Sequence, residues 1–339
     1  VTLPTPIPGV SLQPDGPLLD KYGRRHVYLR VSVTDRCNYR CTYCMPEEGF
    51  AAKARKDLLS FEEIRRIVAV FHELGVRRVR LTGGEPLIRK GIRHLVRMLA
   101  DLGLDDLAMT TNAHLLARHA SALADAGLRR VNISCDAVDP EIFARMTRGG
   151  SLREVLAGID AARAAGLTPI KVNAVVLAGV NDHQLLPMVR HFADHADDTV
   201  VRFIEYMPFG PERKKHLPVS ELRRRLAEHY TLEPEGRGPG GPAVVWRIAE
   251  TGQRVGFISP ITEHFCDACN RLRLDADGHL RTCLSRDDAP SLRDVLRGGA
   301  TDAELTSLVR RIVWNKVAGH EAHEDDWRAF EGVMTQIGG

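Results

Sequence analysis

Six of the seven cysteines in this 339-residue chain fall into two spaced triplets: Cys37/Cys41/Cys44 as C-x3-C-x2-C, and Cys266/Cys269/Cys283 as C-x2-C-x13-C. In a reducing compartment such sets read as ligands for metals or iron–sulfur clusters rather than as a disulfide framework. Three thiolates can hold three irons of a 4Fe-4S cluster and leave the fourth iron open to another ligand, whereas a cluster that only carries electrons takes four cysteines. Zinc with a histidine as fourth ligand is the competing reading. It competes hardest at the second triplet, where C-x2-C is a common zinc knuckle and His264 or His279 can complete Cys3His.

Other residues with chemical potential sit where strands end. In Thr82-Gly83-Gly84-Glu85-Pro86 the paired glycines permit close backbone approach to a ligand, and the Glu85 carboxylate can face an ammonium. Arg271 and Arg273 are separated by one residue, so on a strand they share a face and present their guanidinium donors together.

These groups need a frame, and the hydrophobic pattern supplies one. Short β-branched runs at Val27–Val33, Arg77–Leu81, Leu104–Thr110, Arg129–Ser134, Thr168–Val176 and Val200–Ile204 alternate with amphipathic helical stretches at Phe61–Leu74, Ile88–Leu102, Leu115–Ala126, Leu152–Ala165 and His183–Ala193. The alternation predicts an α/β fold, an incomplete parallel (βα)6 TIM-type barrel, with catalytic groups just after the strands. Residues 1–26 carry five prolines and read as an extended arm outside the core. The barrel is expected over 27–232. The Gly- and Pro-rich stretch from Glu233 to Gly241 marks a break, and 233–339 reads as a small α+β region of short antiparallel strands bearing the second triplet.

The first triplet, with Tyr43 directly before its last cysteine and a position after the first strand, resembles the motif of the radical S-adenosylmethionine (SAM) superfamily. With Gly83-Gly84-Glu85-Pro86 and the second triplet, the chain resembles the GTP 3′,8-cyclases of molybdenum-cofactor biosynthesis from about Gly23 to Gly339. The resemblance implies two 4Fe-4S clusters, one on each triplet, with SAM as cofactor. It implies SAM contacts from Tyr43, Gly84, Ser134 and Met207, and GTP contacts from Arg30, Arg80, Thr110, Lys171, Arg271, Leu272 and Arg273. A basic side chain pointing into a barrel is costly unless it meets an anion. A triphosphate is such an anion, and each charge-assisted bond contributes about 1.5–3 kcal/mol. For any one of these residues the plain alternative is a structural ion pair.

The resemblance further implies cyclisation of GTP to 3′,8-cyclo-7,8-dihydro-GTP, an open iron on the second cluster for the guanine base, and an external electron donor. The product would pass to cyclic pyranopterin monophosphate synthase, and the terminal Gly338-Gly339 would be a tail reaching into the site. Ala113 stands where the family usually has glycine, and Cys135 where it often has leucine. A peptide-modifying two-cluster radical SAM enzyme and a zinc-binding regulatory module are the rival readings.

Composition fits an enzyme better than a coat for nucleic acid. The 47 basic and 44 acidic residues leave a formal charge of only +3. No apolar run approaches the 18 or so residues of a membrane span, and the proline-rich start does not read as a signal peptide, so a cytoplasmic protein is expected. Monomer and homodimer are both open.

Overall fold

In β1 (Tyr28–Ser32), Leu29 and Val31 are fully buried in the hydrophobic core while Arg30 points to the other face. That alternation recurs in β2 (Arg78–Thr82), β3 (Asp106–Thr111), β4 (Arg130–Ser134), β5 (Ile170–Val176) and β6 (Thr199–Glu205), so one side of the sheet is apolar and the other polar. The computed structural model describes residues 4–7, 11–207, 215–238, 241–286 and 289–320.

The apolar face is covered by α1 (Phe61–Glu73), α2 (Ile92–Ala100), α3 (Ala120–Asp125), α4 (Pro140–Thr147), α5 (Leu152–Ala164) and α6 (Leu185–His191). Their boundaries are set by local chemistry. Ser60 opens α1 through a capping box in which its hydroxyl accepts from the Glu63 N–H and the Glu63 carboxylate accepts from the Ser60 N–H. Asp139 caps α4 by accepting from the N–H groups of Glu141 and Ile142, and Pro140 occupies the first helical position. Periodicity alone misses α4, although its Asp-Pro start is visible in the sequence.

β1 to β6 run parallel in sequence order. The chain continues through α7 (Val219–Ala227), β7 (Leu232–Arg237), β8 (Val244–Ile248), β9 (Arg254–Ile258), β10 (Arg271–Leu274), β11 (Leu280–Arg281), α8 (Leu292–Arg297) and α9 (Asp302–Trp314). The full sheet order is β11-β10-β1-β2-β3-β4-β5-β6-β9-β8-β7. No pairing joins β9 to β10 among the described strands, so the barrel is incomplete, as the repeat pattern predicts.

Three expectations change. β9 and β10 do not form a separate antiparallel unit: β9 pairs parallel with β6 and β10 parallel with β1, each with an antiparallel partner, β8 or β11, on its outer side. Strand patterning reports which residues are buried but not which way a strand runs. The first part of the Gly/Pro stretch is strand, because β7 absorbs Pro234 and Gly236 in a register shift at the sheet edge. The end of the N-terminal segment is not outside the core, since Leu18, Asp20 and His26 are fully buried.

Candidate active site

The first triplet lies on the loop after β1, and three neighbours fix that loop. Tyr43 donates its hydroxyl hydrogen to Asp136 Oδ2 at 2.8 Å, just beyond β4. The N–H of Thr42 reaches the Met146 carbonyl at 2.9 Å. Gly84 N–H donates to Thr34 O and Glu85 N–H to Arg36 O, both at 2.8 Å. A Cβ on Gly84 would sit 2.1 Å from Arg36 O, so no other residue fits without moving this loop. The glycines therefore answer first to the protein's own backbone.

Glu85 is also committed. Its carboxylate accepts from Thr111 Oγ1 and the Asn112 N–H, each at 2.7 Å, and from the Leu87 N–H at 3.0 Å. Burial nevertheless pushes it up to about 7. It thereby binds the β2 and β3 loops together. Ala113, two residues past β3, has φ 60°, which is why glycine suits this position better.

Each triplet is gathered by the fold. Burial raises the Cys41 thiol well above its ordinary range, and Asp136, Cys44 and Cys37 raise it further; burial also pushes Cys37 up to about 11. Cys266 is likewise raised by burial and then by Cys269 and Cys283. Cys269 differs. Burial pushes it up, but Lys316, Arg271 and Arg24 outweigh this and bring it down to about 6, with Arg271 3.9 Å from its sulfur. Among the described residues, no three His, Cys, Asp or Glu side chains are placed to hold a single metal ion. Three gathered thiols with no fourth cysteine fit a cluster with one open iron.

Between the triplets lies the polar face of the sheet. Registry places Arg30 beside Arg80 on one side and Arg273 on the other, and Tyr28 beside Arg271. Thr110 is level with Asn132, and Asn132 with Lys171. With its oxygen turned inward, the Asn132 amide accepts from all three Arg80 nitrogens at 2.7–3.2 Å. Sequence reasoning missed Arg202, which joins this array: it donates to Asn173 Oδ1 at 2.8 Å and crosses Gly256, where a Cβ would meet its Cγ at 2.9 Å. Alternation within β6 was the available signal.

Among the described residues, positive charge dominates this face. Burial, then Arg273, holds Arg30 well below its ordinary value; burial, then Arg80, brings Arg202 to about 9; burial, then Arg202, Arg130 and Arg80, brings Lys171 to about 7. Asp106 answers Arg130 with a hydrogen bond of 2.8 Å. So many cations crowded on one buried face make a site for a polyanion.

The remaining predicted contacts are dispersed along the rim. Ser134 ends β4 and Met207 follows β6, both half-buried. Leu272 has its side chain fully buried on the apolar face beside Leu29, leaving only its backbone for a ligand. Cys135 is a buried thiol 3.3 Å from Ala137 O and belongs to neither triplet. Gly338-Gly339 lies outside the described residues. No helix among them is long and apolar enough to cross a membrane.

Residues 31–192 match the Radical SAM superfamily model and residues 199–322 the model Molybdenum Cofactor Synthesis C. A GTP 3′,8-cyclase of Paracoccus denitrificans (strain Pd 1222) is 46% identical, covering 92% of each chain. One of Rhizobium etli (strain CIAT 652) is also 46% identical, over 90% of this chain and 88% of the relative. Among solved structures, Streptococcus suis SuiB bound to S-adenosylmethionine superposes with a TM-score of 0.57 at 17% identity, over 80% of this chain and 63% of that one, a likeness of fold alone.

Proposed function

The chain belongs to the GTP 3′,8-cyclase family of radical SAM enzymes, and on that premise we propose how its residues divide the work. The reaction is cyclisation of GTP to 3′,8-cyclo-7,8-dihydro-GTP, the first step of molybdenum-cofactor biosynthesis, and the cofactors are two 4Fe-4S clusters and SAM. Cys37, Cys41 and Cys44 hold the first cluster; Cys266, Cys269 and Cys283 hold the second. A cluster on the first triplet would supply one electron for reductive cleavage of SAM and, through it, removal of the 3′ hydrogen of the GTP ribose; once carbon 3′ joins carbon 8 of guanine, a second electron and a proton would complete the 7,8-dihydro product.

The observation that carries this reading is the buried cationic face between the two triplets. Arg30, Arg80, Lys171 and Arg273, with Arg202, bind the triphosphate by charge-assisted hydrogen bonds, and Thr110 contacts the nucleotide at the rim. Arg271 and the Leu272 backbone hold the guanine end near the second triplet. Tyr43 keeps its hydroxyl on Asp136, so its backbone, with that of Gly84, lines the SAM site with Ser134 and Met207. The enclosing sheet keeps water from the radical.

Residues 27–232 thus form the SAM-binding part and 233–339 the second-cluster part, ending in a Gly-Gly tail, with 1–26 as an N-terminal segment whose end, from Leu18, packs into the core. A reductant supplies both electrons, a downstream synthase consumes the product, and the enzyme works in the cytoplasm. The test is a single anaerobic turnover with SAM and reductant. GTP should become an isomer separable by chromatography, and ATP should not. Iron analysis should give about eight irons per chain, and stoichiometric zinc without iron would reject the reading.

A further inference from the structure

A buried network joins the N-terminal segment to the second triplet. Asp20 Oδ2 accepts from Arg24 Nε at 2.7 Å and lies 2.9 Å from His26 Nε2. Its Oδ1 accepts from the N–H groups of Tyr22 at 2.9 Å and Arg24 at 3.1 Å. Arg24 is thereby held with its outer nitrogens directed at three carbonyls: Cys266 at 2.7 Å, and Ala318 and Val317 each at 2.6 Å.

Lys316 completes the clamp. Its side chain donates to Arg271 O at 2.8 Å and Thr282 O at 2.6 Å, which stitches the segment after Cys269 to the residue before Cys283. Lys316 is only 2% exposed, and among the described residues no carboxylate pairs with it. A buried ammonium whose partners are neutral carbonyls is unfavourable unless an anion lies close by. Three thiolates around a 4Fe-4S core provide that anion.

We propose that Arg24 and Lys316 are positioning residues of the second cluster, which fix its three cysteine segments against one another and supply positive charge that favours its reduced form. This rests on the reading that the second triplet holds a cluster. It gives the Asp20-to-His26 segment a task at the active centre rather than that of a tether. Charge near a cluster and hydrogen bonding around it set its potential.

The test is an EPR-monitored redox titration of the anaerobic holoenzyme, with the second cluster's signal assigned by its persistence when Cys37, Cys41 and Cys44 are replaced by alanine. Lys316→Met should move that cluster's midpoint to more negative potential, and Lys316→Arg should restore it, while SAM cleavage without GTP stays unchanged in both. An unshifted midpoint in Lys316→Met with both clusters loaded would overturn the inference, as would loss of iron from both triplets together. If Lys316→Met loads only the first cluster, Lys316→Arg decides: about eight irons at the wild-type midpoint supports the inference, and about four overturns it. A wild-type chain with about four irons would instead bring down the two-cluster reading beneath it.

Discussion

Tyr43 and Asp136 meet at 2.8 Å, phenol to carboxylate, and this bond ties the loop of the first cysteine triplet to the end of β4. Burial pushes Asp136 up to about 6, and the bonds from Val175 N–H and Tyr43 oppose that push. Tyr43→Phe removes one of them and leaves a buried oxygen unmatched, at about 1–3 kcal/mol. The variant should unfold several degrees lower and lose iron from the first cluster on gel filtration. Wild-type stability and iron content would show that the bond is incidental.

The two triplets should fail differently. Cys41→Ala removes one of three ligands at the first site, so SAM cleavage should vanish. Cys269→Ala should leave residual cleavage of SAM to 5′-deoxyadenosine but no cyclised GTP. Chromatographic assay of both products distinguishes the two, and equal loss of cleavage in both variants would contradict the division of labour.

Lys171 predicts a proton balance. Crowded by Arg202, Arg130 and Arg80 and held by burial at about 7, it is largely neutral above that pH in the free protein. A bound triphosphate favours the ammonium, so GTP binding should take up to about one proton at a pH of roughly 8.5, and affinity should fall as pH rises above 7. Calorimetry in buffers of different ionisation enthalpy measures the uptake. It should be absent in Lys171→Met; equal uptake there would move the titration to another group.

His26 makes stability depend on acid. Burial holds its imidazole down at about 4 against an ordinary 6.5, despite the pull of Asp20. The unfolded chain therefore binds more protons between these values, so stability is complete above pH 6.5 and is lost as pH falls towards 4, by about 3 kcal/mol. Urea midpoints of the apoprotein across this window should fall more steeply than those of His26→Gln. Parallel curves would show that His26 does not set the acid sensitivity.

The sequence made the chemistry more legible than the architecture, for physical reasons visible at single residues. Cysteine spacing is local and marked both triplets, whereas Arg30 entered through the family resemblance and its alternation with Leu29 and Val31 agrees with a place on the polar face. Glu85 shows the limit: its partners Thr111 and Asn112 lie at the end of another strand and just past it, and no spacing reports contacts made across a sheet. The same holds for Arg24, 242 residues from its partner Cys266, in a segment whose prolines suggest an extended arm. The parallel pairing of β10 with β1 was hidden because burial patterns carry no strand direction.

The central claim is that GTP on the cationic face is what the adenosyl radical attacks, and isotope transfer tests it most directly. GTP deuterated at the ribose 3′ position, given a single anaerobic turnover with SAM and reductant, should yield 5′-deoxyadenosine carrying one deuterium by mass spectrometry, while label at guanine carbon 8 should stay in the nucleotide. Unlabelled 5′-deoxyadenosine alongside unchanged GTP, with both clusters intact, would mean that GTP is not the substrate.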